Sequence, residues 1–176
     1  MVDVATRPVR APAFRLRRRA RRTILLAHIA AAGAWLGIDV VLGVMVGTAL
    51  VTGDAQQAGV ALQSLGLFAV WPLVVVGLLC LASGILLGVG STYGLVRYWW
   101  VAVKLALTLV LCTLIVVLLR PGLAELAAYG REVAAGTAAE RDLRDLFFPP
   151  AVSLTALTLA TVLSVAKPWG RTRRVS

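Results

Sequence analysis

The sequence contains few of the residues that carry metal or redox chemistry: one histidine, two cysteines and two methionines among 176 residues. Copper and other soft metals prefer thiolate, thioether and imidazole ligands, so this set is poor for copper handling. No pair of cysteine or histidine residues has metal-site spacing. The chain also lacks a nucleophile elbow, a phosphate-binding loop, an HExxH string and a paired-carboxylate site, which argues against a hydrolytic enzyme.

Charge is also scarce, because 15% of the residues are charged and 60% are hydrophobic, with a mean hydropathy of +0.88. These values exclude an ordinary water-soluble domain. The apolar residues form four blocks, each close to the roughly 20 residues that cross a bilayer as a helix. The blocks cover residues 23–50, 66–90, 98–119 and 150–166. We therefore predict an all-α, four-helix transmembrane bundle over residues 23–167, in a multi-pass protein of the plasma membrane.

The positions of the basic residues predict the orientation of the spans, because lysine and arginine close to span ends stay cytoplasmic. Eight arginines precede the first span, Arg97 follows the second, and four basic residues follow the fourth. These 13 of the 18 basic residues fall on one side of a four-span topology. Both termini are therefore predicted to be cytoplasmic, with a disordered basic tail over residues 1–22 and a second basic tail over residues 168–176.

The same basic tails predict the partners of the chain. The arginine-rich run at residues 15–22 adjoins the first span, so we expect it to contact the anionic headgroups of the lipid bilayer. A net charge of +10 on a soluble protein would suggest nucleic acid. No aromatic or glycine residues interleave with the arginines, so nucleic acid is not an expected partner.

Residues 120–149 are predicted to form an amphipathic extracytoplasmic loop. Pro121 suits the first turn of a helix. Apolar or small residues then follow at helical spacing: Leu123, Leu126, Gly130 and Val133. A second short helix is predicted to begin at Thr137, where T-A-A-E forms a capping box with Glu140.

Few titratable side chains lie inside the predicted spans, where each is costly and is therefore a candidate functional residue. One face of the first span carries His28, Trp35 and Asp39 within an arc of about 60°. One side of the third span carries Trp100 and Lys104. By the helical rise, His28 and Lys104 lie about 8 and 9 Å from the cytoplasmic ends of their spans, whereas Asp39 lies about 24 Å in.

These depths predict two separate sites. Four side chains are expected to line an inner-leaflet cavity for a ligand or cofactor: His28, Trp35, Trp100 and Lys104. Asp39 is offset from Lys104 by about 15 Å along the bundle, so its expected partner is Arg120, near the outer surface. A structural interpretation stays open for each group, since His28 can bond between helices and Lys104 can extend its ammonium to the interface.

Two segments resemble known membrane proteins: H-I-A-A-A-G-A-W-L-G at 28–37 and Y-G-L-V-R-Y-W-W-V-A-V-K-L-A-L-T at 93–108. They are similar to a family of uncharacterised four-helix actinobacterial integral membrane proteins. That family in turn looks related to the copper-resistance D-like proteins and to the haem-containing four-helix protoporphyrinogen oxidases. In the oxidases an early histidine and a later lysine are associated with haem binding and activity. The resemblance implies those roles for His28 and Lys104, with haem b as a candidate cofactor.

Three functions stay open at this point. The first is a non-enzymatic accessory or small-ligand-binding membrane protein. The second is a haem-binding membrane redox protein, in which a single histidine supplies one axial ligand per chain, so that six-coordinate bis-histidine haem would need a dimer or another ligand. The sequence also leaves open a homodimer or assembly with another membrane subunit. The third is a small transporter or channel subunit with a polar path along Asp39, Lys104 and Arg120, although no inverted repeat supports it.

Overall fold

The computed structural model describes residues 16–91, 95 and 98–166. Most of the two predicted basic tails, together with Arg97, lies outside the described residues. Within the described part the regular structure is helical, which confirms the all-α prediction.

Six α-helices make up the described part of the chain. They are α1 (Arg18–Val51), α2 (Ala55–Phe68), α3 (Val70–Val89), α4 (Trp99–Leu114), α5 (Arg120–Ala134) and α6 (Phe148–Ala166). A π-helical turn, Ile115–Leu119, joins α4 to α5 without a break, and a 3-10 turn, Arg144–Phe147, leads into α6. Four stretches are long and apolar enough to cross a membrane: α1, α3, Trp99–Ala134 and Arg144–Ala166. The predicted number of membrane-length helices is therefore confirmed.

Contacts between the long helices show that neighbours run antiparallel. His28, near the start of α1, is 2.9 Å from Ser83, near the end of α3. Lys104, near the start of α4, is 2.8 Å from Ser164, near the end of α6. The start of α1 and the end of α6 therefore lie at one end of the bundle, and α2 and α5 lie at the other.

Helix α1 is the centre of the bundle, with contacts to α2, α3 and α6. Its buried residues recur every three or four positions: Ala31, Trp35, Asp39, Leu42 and Val46. This spacing is the helical repeat, so all of them lie on one face. It is the face on which the sequence pattern places Trp35 and Asp39.

Helix α2 fills most of the segment between the first two predicted spans, where the sequence pattern predicts a loop. Asp54 caps its start, because the carboxylate accepts the backbone N–H of Gln56 at 2.8 Å and of Gln57 at 3.4 Å. One residue, Ala69, separates α2 from α3. The block predicted to span residues 66–90 therefore begins inside α2.

Helix α5 has the amphipathic pattern predicted for residues 121–133, with Leu123, Leu126 and Gly130 buried. Its apolar face packs against α2 rather than lying free on a surface. The two helices are antiparallel, because Gly59 faces Ala134 and Gly66 faces Ala127.

The contact between α2 and α5 depends on glycine. A Cβ atom on Gly59 would lie 2.5 Å from the carbonyl oxygen of Gly130 and 2.6 Å from the Cβ of Ala134. A Cβ on Gly130 would lie 2.8 Å from the carbonyl oxygen of Gly59. All three distances are too short for real atoms, so a side chain at either position forces the helices apart.

Gly136 ends α5 and prevents the helix predicted to begin at Thr137. It adopts a φ of 70°, and its N–H donates to Val133 O at 3.0 Å. The N–H of Thr137 donates to Glu132 O at 2.9 Å. These two bonds form a Schellman motif. Because the Thr137 hydroxyl also donates to Glu132 O, at 3.3 Å, it does not cap a helix with Glu140.

Replacing Gly59 by alanine tests the close contact between α2 and α5. We expect Gly59→Ala to lower the free energy of unfolding by about 1–3 kcal/mol, because overpacking displaces one helix from the other. The measurement is thermal unfolding in detergent, followed by far-UV circular dichroism.

The matched control is Gly47→Ala in α1, where an added Cβ meets nothing within 4 Å. Alanine is favoured over glycine inside a helix by about 1 kcal/mol, so this control is expected to be neutral or stabilising. Equal melting temperatures for the two variants would contradict the close approach.

Candidate functional site

In the described part of the chain, two cavities lie at different heights along the face of α1 that carries His28, Trp35 and Asp39. The first, called the His28 cavity, has a volume of about 350 Å³ and is lined by residues of α1, α3, α4 and α6. The second, called the Asp39 cavity, has a volume of about 360 Å³ and lies beside α2 and α5. Both volumes fall at the lower end of the roughly 300–1,000 Å³ typical of small-molecule sites.

The imidazole of His28 is held against α3 by its Nδ1 atom. Nδ1 lies 3.1 Å from the carbonyl oxygen of Cys80 and 2.9 Å from the hydroxyl oxygen of Ser83. A carbonyl oxygen only accepts, and the Ser83 hydroxyl already donates to Leu79 O. Nδ1 must therefore carry the proton and donate it to these oxygens.

This arrangement makes Nε2 the acceptor nitrogen of a neutral His28. Nε2 makes no hydrogen bond within the described part of the chain, and His28 lines the cavity. Gly84 leaves room for the imidazole ring, because a Cβ there would lie 3.3 Å from His28 Cε1. The imidazole beside the cavity therefore keeps one lone pair, on Nε2, that no described residue binds.

Cys80 lies next to His28 but is not an activated nucleophile. Its Sγ is 3.8 Å from His28 Nδ1. Because Nδ1 carries a proton that is donated to a carbonyl oxygen, it has no lone pair with which to deprotonate the thiol. Cys80 is buried, and both Cys80 and Cys112 are free.

Lys104 supplies the positive charge of the His28 cavity. Its ammonium donates to the Ser164 hydroxyl at 2.8 Å and lies 4.7 Å from the centre of the Trp100 ring. A cation over an aromatic face is attracted by the ring quadrupole, so Trp100 helps to fix the position of the ammonium. No acidic side chain belongs to the lining of this cavity among the described residues.

The structure distributes the four residues of the predicted inner cavity differently from the prediction. His28 and Lys104 line the same cavity. Trp100 contacts the Lys104 ammonium through its ring but does not belong to the cavity lining. Trp35 instead lines the Asp39 cavity, because it lies two turns further along α1 and packs over Gly77 of α3.

Asp39 has a different partner from the predicted Arg120. The carboxylate, only 1% exposed, accepts the hydroxyl of Ser153 on α6 at 2.6 Å. Arg120 begins α5 on an exposed surface, and Asp39 forms no ion pair within the described residues. The basic residue that lines the Asp39 cavity is Arg141, which also lies 5.7 Å from the Tyr129 ring.

Sequence reasoning missed Ser83 and Ser153 as site residues. Each is a buried serine on an apolar helix, and each binds a titratable side chain of α1. Their polarity inside apolar helices was the available signal, because a buried hydroxyl usually has a hydrogen-bond partner. The sequence does not show which neighbouring helix holds that partner.

Metal binding finds limited support in the described residues. No three histidine, cysteine, aspartate or glutamate side chains of the described part lie together in a group that could hold a metal ion. His28 is oriented like a metal-bound histidine, whose second ring nitrogen typically donates to a carbonyl or carboxylate oxygen.

Comparisons with protein-family models, curated proteins and solved structures find no match for this chain. The resemblance to copper-resistance D-like proteins and protoporphyrinogen oxidases stays a prediction.

Proposed function

We propose that this chain is a non-enzymatic, small-ligand-binding protein of the plasma membrane, with both termini in the cytoplasm. Four helices long and apolar enough to cross a membrane support the membrane assignment. The proposal includes contact of the basic tails with anionic lipid headgroups, and it allows for assembly with a second copy or with another membrane subunit as an accessory protein.

The orientation of His28 carries the proposal. Its Nδ1–H is held by Cys80 O and Ser83 Oγ, which leaves Nε2 as an acceptor in a cavity whose charge comes from Lys104. A ligand that fits this pair carries an anionic group for the ammonium and a hydroxyl or amide donor for Nε2. The apolar side chains of the walls suit a hydrocarbon body. We therefore propose an amphipathic hydroxy acid as the ligand class.

The chemistry around the cavity favours binding over catalysis. Cys80 is the candidate nucleophile of this cavity, and His28 is the candidate base. Because Nδ1 of His28 already carries a proton, it cannot deprotonate the Cys80 thiol. Nucleophilic catalysis needs a base within hydrogen-bond reach of the nucleophile. The side chains of this cavity are arranged to hold a ligand.

Binding of β-hydroxyoctanoate tests the proposal. Protein in lipid nanodiscs is dialysed to equilibrium with the radiolabelled acid, and empty nanodiscs give the background. We expect one saturable site per chain, and a loss of affinity of about tenfold or more in Lys104→Gln, because a charge-assisted hydrogen bond disappears. Octanoate, which lacks the hydroxyl donor for His28, is expected to bind more weakly than the hydroxy acid.

The matched control is Arg120→Gln, which removes one positive charge from an exposed position outside the cavity. Its affinity should equal that of the parent protein. Equal affinities of the parent protein and Lys104→Gln would contradict the proposed site.

The geometry of His28 also favours a second candidate, a haem-binding membrane redox protein. When bound, haem supplies one-electron chemistry at its iron. His28 would hold the haem iron through Nε2, and Cys80 O would keep the ring oriented through Nδ1. The orientation of His28 fits this role, whereas the cavity volume of about 350 Å³ favours a smaller ligand.

A reduced-minus-oxidised visible spectrum separates the two candidates. The small-ligand proposal predicts that the purified protein, supplied with haem, shows no Soret band that depends on His28. A band that appears in the parent protein and disappears in His28→Ala would replace the first candidate by the second.

A further inference from the structure

We propose that the Asp39 cavity is a second binding site, for an apolar molecule that carries one hydroxyl group. This site does not depend on the function proposed above, because no residue lines both cavities. The proposal rests on two polar groups one helical turn apart on α1, which need complementary partners.

The first group is the indole N–H of Trp35. The side chain is 0% exposed, and its Nε1 has no hydrogen-bond acceptor among the described residues. Buried indole N–H groups normally have an acceptor. The far edge of the six-membered ring packs over Gly77, with Cη2 and Cζ3 3.2 Å from where a Cβ would lie, so the Nε1 edge is turned away from that contact. Trp35 lines the cavity, so an acceptor supplied by a ligand there would satisfy this N–H.

The second group is the carboxylate of Asp39. It lies four residues beyond Trp35 on the same helix face, where side chains are neighbours with Cβ atoms about 5–6 Å apart. Oδ2 accepts one hydrogen bond from Ser153, at 2.6 Å. Two carboxylate oxygens accept about four hydrogen bonds, so acceptor capacity remains. Asp39 can therefore accept from a donor beside the acceptor that Trp35 needs.

A hydroxyl group meets both requirements with one atom, because it accepts from Trp35 Nε1–H and donates to Asp39. An ammonium group only donates and leaves the indole N–H unpaired. An ether or carboxylate group only accepts and faces the oxygens of Asp39. Arg141 on the same wall further disfavours a cationic ligand.

The rest of the cavity suits an apolar body that arrives from the side of the bundle. Three of its lining residues are strongly exposed, namely Leu118 (71%), Phe148 (66%) and Val152 (50%). They mark an opening between the π-helical turn and the start of α6. Exposed apolar residues on a membrane-length bundle face lipid, so the ligand enters from the bilayer. The π-helical turn contributes Ile115 and Leu119 to the wall, and such turns occur frequently at functional sites.

Binding of para-hexylphenol to the protein in lipid nanodiscs tests the proposal. Equilibrium dialysis measures uptake, and empty nanodiscs correct for partition into lipid. We expect one saturable site per chain. The methyl ether, para-hexylanisole, keeps the oxygen acceptor but lacks the donor, so we expect it to bind about tenfold more weakly. This comparison uses the parent protein and needs no variant to fold.

Two variants locate the site. Trp35→Phe keeps an aromatic ring but removes the N–H, and Asp39→Asn replaces the carboxylate by an amide of the same shape. Each is expected to weaken binding of para-hexylphenol by about tenfold. The controls are Trp71→Phe, at a residue 68% exposed and outside the cavity, and Asp54→Asn, at a helix N-cap that asparagine also fills well. Both controls should bind as the parent protein does.

Three results would overturn the proposal: uptake no greater than that of empty nanodiscs, equal affinities for the phenol and its methyl ether, or unchanged affinity in both Trp35→Phe and Asp39→Asn. Lys104→Gln belongs to the other cavity and is expected to bind para-hexylphenol normally. Failure of one site is thereby distinguishable from failure of the other.

Discussion

The whole arrangement depends on one face of α1, which carries His28, Trp35 and Asp39 through an apolar bundle. Polar groups in such surroundings must find partners within the protein, since little water is available to them. Helix α3 satisfies His28 through Cys80 and Ser83, and α6 satisfies Asp39 through Ser153. The indole N–H of Trp35 stays without a partner in the described part. These hydrogen bonds therefore determine which sides of α3 and α6 face α1. The two cavities lie beside polar atoms of His28, Trp35 and Asp39 that have unused hydrogen-bonding capacity.

The pair formed by α2 and α5 gives the second cavity its end wall. Glycine contacts bring the two helices together, and Leu65 of α2 and Leu123 and Leu126 of α5 line the same cavity as Asp39. The continuous helix from α4 through the π-helical turn to α5 links this wall to the helix that carries Lys104. The contact between α2 and α5 therefore belongs to the structure that bounds the Asp39 cavity, whereas the hydrogen bonds of His28 are made to α3.

The length of the apolar blocks predicted the four membrane-length helices, and helical periodicity and rise predicted the polar face of α1. They also gave His28 and Lys104 similar depths, and these two residues line one cavity. Depth fixes only the position of a side chain along the bundle axis. The partner of Asp39 depends on how α6 is rotated, which no single-helix pattern contains, so Ser153 was missed and Arg120 was expected.

Helix α2 was missed for a related physical reason. Its sequence is interrupted by Gln56, Gln57 and Gln63, and it becomes stable through tertiary packing against α5 rather than through a long apolar run. The sequence at Thr137 matches a capping box, but the left-handed conformation of Gly136 places Thr137 in the C-terminal cap of α5.

The central claim is that His28 is a neutral, oriented imidazole that presents Nε2 to the cavity. Nitrogen NMR of protein labelled with ¹⁵N-histidine tests it directly, because the chain contains a single histidine, so both ring signals belong to His28. Couplings to the two carbon-bound ring protons tell Nε2, which couples to both, from Nδ1. The account predicts a protonated Nδ1 and an unprotonated Nε2 near neutral pH. A protonated Nε2 with a bare Nδ1 would contradict the hydrogen bonds to Cys80 and Ser83, and with them the proposed use of the cavity.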